Sequence, residues 1–437
     1  MQIARDLLEK RSAIYSDRPV LRTNEVFGIL SSNTAFMPCG DTLRLHRKLF
    51  HQVLSAEASA EYHDLYIRKA YQLVINLLSS PQKMERHFEM YSGSLIIAAT
   101  YGYATHPEGD PVIGSARELL DIVTRVMAPE RAALMTAFPF LEYLPSWLPG
   151  AADSRLAPRC RKLIRRLLDE PFEIAKKNIM AAGPSSSMVA KFLTQDEDIS
   201  PAQEKFMKGI AVTSFVAGTD TTAATLHAFM CAMLLHPDVQ SRAFAEINAV
   251  CGDHIPNFEH RPSLPYIEAI RREVMRWHPI TPLGIPHMTT QDDIYDGYFI
   301  PKGSNVILGI LTAPWALSRD ERLYPDALNF DPGRHLTAEG ELKDSPIFAW
   351  GYGRRICPGR HFAELSLWAA MVSILSTIHI AKAKDSEGID IPVIQDVVTG
   401  LVSRPTPFAY TITNINHRRE KLMRAASQVE QKGPYTF

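Results

Sequence analysis

The chain has 437 residues, 46% of them hydrophobic, and a formal net charge of −1. That is enough apolar material for a large core, and a balance so near zero gives nothing of the basic excess that would suggest a nucleic-acid binder. Cys39, Cys160, Cys231, Cys251 and Cys357 are scattered with no C-x-x-C spacing, which excludes a disulfide framework or a zinc cluster and suits a reducing compartment.

Residues 1–12 carry charges throughout, so they hold no secretory signal. Apolar residues recurring at three and four positions predict helices over 44–54, 60–78, 90–104, 116–126 and 159–182, separated by polar breaks at 106–110 and 183–187. Residues 139–150 set Trp147 among prolines; they form either a packed corner or a loop that dips into a membrane surface. The longest apolar stretch, 206–235, contains Lys208, Asp220 and His227, which predicts a core helix and not a membrane span. Short strands are predicted at 294–300, 305–310 and 409–412, and a further helix over 360–380. There is no internal repeat, and residues 1–437 read as one mainly α domain with small β-sheets.

Three stretches carry chemistry. In 350–360, Trp350-Gly351-Tyr352-Gly353-Arg354-Arg355-Ile356-Cys357-Pro358-Gly359-Arg360, glycines permit sharp bends beside a cysteine that opens a helix among three arginines. Dipole and charge there favour thiolate over thiol, and a thiolate on haem iron favours O–O cleavage. A lone cysteine is otherwise a buried structural thiol. Within the apolar helix, Ala217-Gly218-Thr219-Asp220-Thr221-Thr222 spends a mid-helix glycine and a buried acid, each costly unless used. Ser214, Gly218, Thr221 and Thr225 share one face. This stripe either leaves room for a flat cofactor and bound oxygen, with Asp220 and Thr221 relaying protons, or is a helix-packing notch. Glu273 and Arg276, three apart, can pair on a helix, and Arg334 downstream can join them.

Taken in order, the A-G-T-D-T-T helix, the E-x-x-R pair, the F-x-P-x-R segment at 330–334 and the G-x-G-R-R-x-C-P-G loop resemble cytochrome P450, the haem-thiolate monooxygenases. The likeness is closest to fungal, basidiomycete-like microsomal members and covers essentially the whole chain. The resemblance implies the P450 fold, haem b with Cys357 as axial ligand, and a structural ion network of Glu273, Arg276 and Arg334. It implies that Asp220 and Thr221 handle dioxygen protonation. Residues 43–47 are similar to the family's W-R-x-x-R, which puts Arg47 on a haem propionate, with Arg355, and with His46 and Arg44 beside it. Gly351, Gly353, Gly359, Ala217 and Gly218 would border the haem, and Phe27, Phe215, Ile280, Leu283, Ile285 and Leu401 the substrate pocket.

That pocket implies a hydrophobic substrate of terpenoid, steroid or polycyclic aromatic type. The partners implied are O2 and NADPH-cytochrome P450 reductase, meeting a basic face around Arg44, Arg47, Lys48, Arg354 and Arg360, on the cytosolic side of the endoplasmic reticulum. Departures from the pattern are Leu43 for tryptophan, Trp350 for phenylalanine and Gly333 for glutamate. The chain opens where the family's second helix begins, without the anchor helix or first sheet strands. A haem-thiolate isomerase or peroxide-using enzyme, and a haem-binding remnant without turnover, are the rival classes. The intact Asp220-Thr221 pair argues against the first.

Overall fold

The computed structural model describes residues 2–29, 33–106, 109–144, 147, 153–183, 186–194, 199–306, 314–344, 347–398 and 400–429. Helices dominate. In chain order the longer ones are α1 (Asp41–Leu54), α2 (His63–Ser79), α3 (Met84–Tyr101), α4 (Pro111–Val126), α5 (Ala157–Ala182), α6 (Pro201–Leu235), α7 (Pro237–Cys251), α8 (Pro265–Trp277), α9 (Arg360–Leu375) and α10 (His417–Val429). The predicted helix over 60–78 is divided: Ala56–Ala60 forms a separate short helix, and the chain turns before His63.

α6 starts where its sequence says it must. The Ser200 hydroxyl accepts from the Gln203 N–H, the Gln203 side chain accepts from the Ser200 N–H, and Pro201 occupies the first turn. Apolar on nearly all sides, the helix runs through the middle of the molecule and packs chiefly on α3. Phe229 of α6 and Trp368 of α9 are completely buried in the core. A satellite core gathers Leu8, Tyr15, Leu317, Tyr324, Phe348 and Tyr352, which docks the first fifteen residues beside the cysteine loop.

The strands form two-stranded antiparallel sheets: β1 (His287–Met288) with β4 (Asn305–Val306), β2 (Asp293–Tyr295) with β3 (Tyr298–Ile300), β5 (Ile378–Lys382) with β8 (Tyr410–Asn414), and β6 (Val397–Val398) with β7 (Arg404–Pro405). Asp17 adds a single bridge to Met288. The strand expected over 294–300 is therefore a hairpin. Asp296 and Gly297 both take positive φ, the geometry of a type I′ turn, and Ile294 pairs with Phe299. The helix expected to reach residue 380 stops at Leu375, because Ile378–Lys382 pairs with Tyr410–Asn414. Of the strand expected over 305–310, residues 307–310 lie outside the described residues.

Candidate haem site

The cysteine loop is closed by short backbone bonds: the Arg355 N–H donates to Tyr352 O at 3.1 Å, Ile356 N–H to Gly353 O at 3.2 Å, and Cys357 N–H to Trp350 O at 2.8 Å. Gly351 and Gly353 adopt φ of 74° and 52°, which only glycine takes without strain. At Gly353 packing adds a second demand for glycine, since a Cβ there would overlap Leu8 O of the N-terminal segment. Gly351 and Gly359 meet nothing closer than ordinary contact distance.

Cys357 is half-buried at the start of α9. Burial pushes its thiol above the ordinary value, against the opposing pull of the Gly359 N–H, Arg360 and Arg47. The direction is opposite to the one expected from dipole and arginines alone, because desolvation outweighs them at this thiol.

Around this loop positive charge accumulates with no carboxylate bonded to Arg18, Arg47 or Arg355 among the described residues, Asp17 acting on Arg18 and Arg355 only from a distance. Arg47 Nη1 donates to Ile356 O at 3.0 Å. Arg355 Nε donates to Ser16 O at 2.7 Å and Nη2 to Met37 O at 2.7 Å, while Nη1 is buried with no partner. Arg18, which sequence reasoning missed, is buried and donates to Ala35 O, Ile285 O and Pro286 O at 2.9, 2.7 and 2.7 Å. Its pKa is pushed down to about 9 by burial first and then by Arg355. Arg47 is likewise lowered, by burial and then by Arg355 and Arg360, partly offset by Cys357. Buried like charges and an orphaned guanidinium nitrogen call for an anion between them. The two propionate carboxylates of a haem fit that demand, beside the sulfur that would hold its iron.

His46 and Arg44 do not contribute. His46 Nδ1 pairs with Thr34 Oγ1 at 2.8 Å, its ring sits edge-on to Phe206, and burial pushes its pKa down to about 4. Arg44 lies on the surface with Asp41 at 2.8 Å.

On α6 the small-residue stripe divides in two. Ala217 is exposed in the middle of an otherwise buried helix, and Val216 and Thr221 are half-buried, so this face borders open space. Gly218 is instead a packing notch, since a Cβ there would lie 2.8 Å from Ile96 of α3. The hydroxyls of Ser214, Thr221 and Thr225 all bond carbonyls one turn back, Thr221 to Ala217 O at 2.9 Å. Asp220 is buried and paired with Arg404 of β7, which sequence reasoning also missed because 184 residues separate the partners.

Of the expected pocket walls, Ile280, Ile285 and Leu401 are half-buried and Leu283 is 49% exposed. Ser403 N–H donates to Ile280 O at 2.7 Å, which brings the Leu401 segment beside the 280–285 segment. Phe27 and Phe215 are corrections: both rings are fully buried, Phe215 edge-on to Tyr101, and neither has surface to offer a pocket. Two residues along a helix is about 200° of rotation, so Phe215 faces away from Ala217.

The ion network is present and larger than expected. Glu273, with no exposed area, accepts from Arg276 Nε and Nη2 at 2.7 Å each, Arg334 Nε at 3.0 Å and the Asp331 N–H at 2.8 Å; His335 Nε2 lies at 2.9 Å. Arg276 also donates to the carbonyls of Ser318, Ala327 and Asn329. His335, next to Arg334 in the chain, was the legible signal not used. A second buried pair, Glu268 with Arg271, joins Arg261 and carried no motif.

A thiol at a helix start, guanidinium groups awaiting carboxylates, and an open, small-residue face on the central helix define a haem-thiolate protein. The Cytochrome P450 family model matches residues 1–412, and the chain belongs to the cytochrome P450 family, whose cofactor is haem b held by a cysteine thiolate. Among its relatives, it is 37% identical over 423 residues to Cytochrome P450 monooxygenase 98 of Postia placenta, covering 94% of this chain and 80% of the relative. It is 34% identical over 417 residues to Cytochrome P450 monooxygenase COX1 of Coprinopsis cinerea, covering 93% and 80%. It is 32% identical over 439 residues to Cytochrome P450 monooxygenase claR of Ampulloclitocybe clavipes, covering 99% and 80%. Among the described residues no helix is long and apolar enough to cross a membrane.

Proposed function

We propose that this chain is a haem-thiolate monooxygenase that inserts one oxygen atom of O2 into a hydrophobic terpenoid, steroid or polycyclic aromatic substrate, with electrons from NADPH through NADPH-cytochrome P450 reductase. The observation that carries the reading is the buried, unpaired Arg355 Nη1 among like charges beside the Cys357 loop. The relatives, named as cytochrome P450 monooxygenases, support the reaction class. Bound through Cys357, the haem supplies dioxygen activation, favoured by electron density from the thiolate.

Arg355 and Arg47 bind and orient the carboxylates of the cofactor. Ala217, bearing only a methyl group, leaves room above it, and Ile280, Leu283, Ile285 and Leu401 exclude water from an apolar substrate. Thr221 Oγ1 spends its proton on Ala217 O and keeps lone pairs free to accept one; Asp220 holds a carboxylate one residue away.

The reductase meets the outer face of the loop, where an open pocket of about 240 Å³ is lined by Arg47, His51, Arg360 and His361 and by Glu57. Phe138, Phe140, Tyr143 and Trp147, at 48, 59, 77 and 76% exposure, contact the cytosolic surface of the endoplasmic reticulum.

The test is the carbon-monoxide difference spectrum of the reduced protein, followed by turnover with reductase, NADPH and apolar compounds. A red-shifted thiolate band and an oxygenated product are expected, with the electron-transfer rate falling at high salt. Absence of the band refutes the reading. Product formed with peroxide but never with reductase would replace it with a peroxide-using enzyme.

A further inference from the structure

Arg404 lies on β7, and its guanidinium grips Asp220 Oδ1 from the side of α6 that adjoins the β6–β7 pair. Asp220 is 6% exposed, and its Oδ2 is buried with no partner. The same short segment carries Leu401, is tied to Ile280 O by the Ser403 N–H, and presses Gly400 so closely on Thr124 of α4 that a Cβ would overlap the threonine methyl. One ion pair therefore joins an acid of the central helix to a proposed wall of the substrate pocket.

Resting on the monooxygenase reading, we infer that Arg404 is a positioning residue for proton delivery: it fixes Asp220 through Oδ1, leaves Oδ2 as the proton-carrying atom, and makes that carboxylate's orientation depend on the Leu401 segment. Solvent reaches the pair at Arg404, whose side chain is 29% exposed; Oδ2 takes up one proton from it and passes that proton to the reacting oxygen of the substrate dioxygen beside Thr221, so Asp220 returns to its ionised form and no electrons move through it. Burial pushes the Asp220 carboxyl above its ordinary value, while Arg404 pulls it down. Other charges face this group. Asp121 of α4 and Glu89 of α3 oppose ionisation, Arg117 sits 3.4 Å from Glu89, and His227, one α6 segment away, feels Arg404 and lies 4.0 Å from Glu85. Of these, only Arg404 touches Asp220.

The experiment uses the haem-loaded protein in two readouts, one of which needs no turnover. Infrared difference spectra are taken across pH for the native protein, Arg404→Gln and Arg404→Gln/Asp220→Asn. A protonated-carboxyl stretch that moves at least about one pH unit upward in Arg404→Gln, a tenfold change in ionised fraction, and vanishes in the double variant is expected. In turnover, the acid limb of kcat should move the same way, and Arg404→Lys should restore it by restoring the charge.

An unmoved carboxyl band in folded Arg404→Gln overturns the inference, whatever the activity. If Arg404→Gln does not fold, Asp220→Asn serves, because it keeps the side-chain shape. Amide exchange of residues 400–404 should then rise about tenfold or more, and unchanged exchange overturns the inference. If the infrared arm succeeds and no substrate turns over, the monooxygenase reading fails and the proton-delivery role falls with it, while the Arg404–Asp220 coupling itself stands.

Discussion

Replacing Glu273 by Gln keeps the shape of the side chain and removes its charge at the most crowded ionic point of the molecule. One carboxylate with no exposed area accepts two bonds from Arg276, one from Arg334 and one from the Asp331 N–H, and pairs with His335. An amide offers one oxygen and turns an NH2 toward guanidinium donors. Buried Arg276 and half-buried Arg334 thereby lose their counter-ion. Breaking a buried pair in this way costs roughly 3–5 kcal/mol, and the segment 318–335, whose carbonyls Arg276 holds, loosens with it.

The sign of the pH dependence follows from the carboxyl. Although burial acts to raise it, Arg276 and His335 hold Glu273 below its ordinary value. A group lowered on folding contributes stability above its unfolded value and loses it as pH falls through the folded one. Denaturant midpoints of native protein and Glu273→Gln should therefore differ fully at neutral pH and converge in acid. A gap under about 1 kcal/mol, the worth of a surface pair, or a gap that stays constant into acid, would refute the reasoning.

Cys357→Ala should abolish the thiolate carbon-monoxide band while leaving far-ultraviolet circular dichroism unchanged; a surviving band would mean another ligand. Gly353→Ala should cost more than about 1 kcal/mol, from positive φ and the collision with Leu8 O, and limited proteolysis should release the first fifteen residues. An intact N-terminal segment would show that the contact yields. Gly218→Ala forces Ile96 aside and should cost about 1–3 kcal/mol in the denaturation midpoint; a neutral outcome would restore the cofactor reading of that glycine. Burial pushes His46 and His227 down to about 4 and His287 to about 3, from 6.5. Their contribution to stability is complete above the unfolded value and drains as pH falls below it, so the midpoint should already drop between about pH 7 and pH 5. A flat midpoint over that interval would contradict it.

Local patterns carried much of this protein on their own. The cysteine loop, the central helix and the Glu273-Arg276 pair were legible because each is chemistry written within a few residues: turn glycines, helical apolar spacing, charges three apart. Asp296-Gly297 was legible as a turn, yet its consequence, a hairpin where one strand was expected, needed the register of β2 on β3. Arg404 on Asp220 and Arg18 beside Arg355 join residues 184 or more positions apart, and no spacing announces them. The face a residue presents was equally hidden. Phe215 reads as a pocket ring until Tyr101 covers it, and Gly218 as a cofactor cradle until Ile96 fills it.

By itself the sequence determined the helical class, the thiol that would hold iron, and the order of motifs that places the chain in its family. Only the tertiary structure decided which glycines are packing notches, which guanidinium nitrogen lacks a partner, and that burial pushes the Cys357 thiol up against the pull of the Gly359 N–H, Arg360 and Arg47. The physical reason is desolvation and contact, which depend on everything packed around a group and not on its neighbours along the chain.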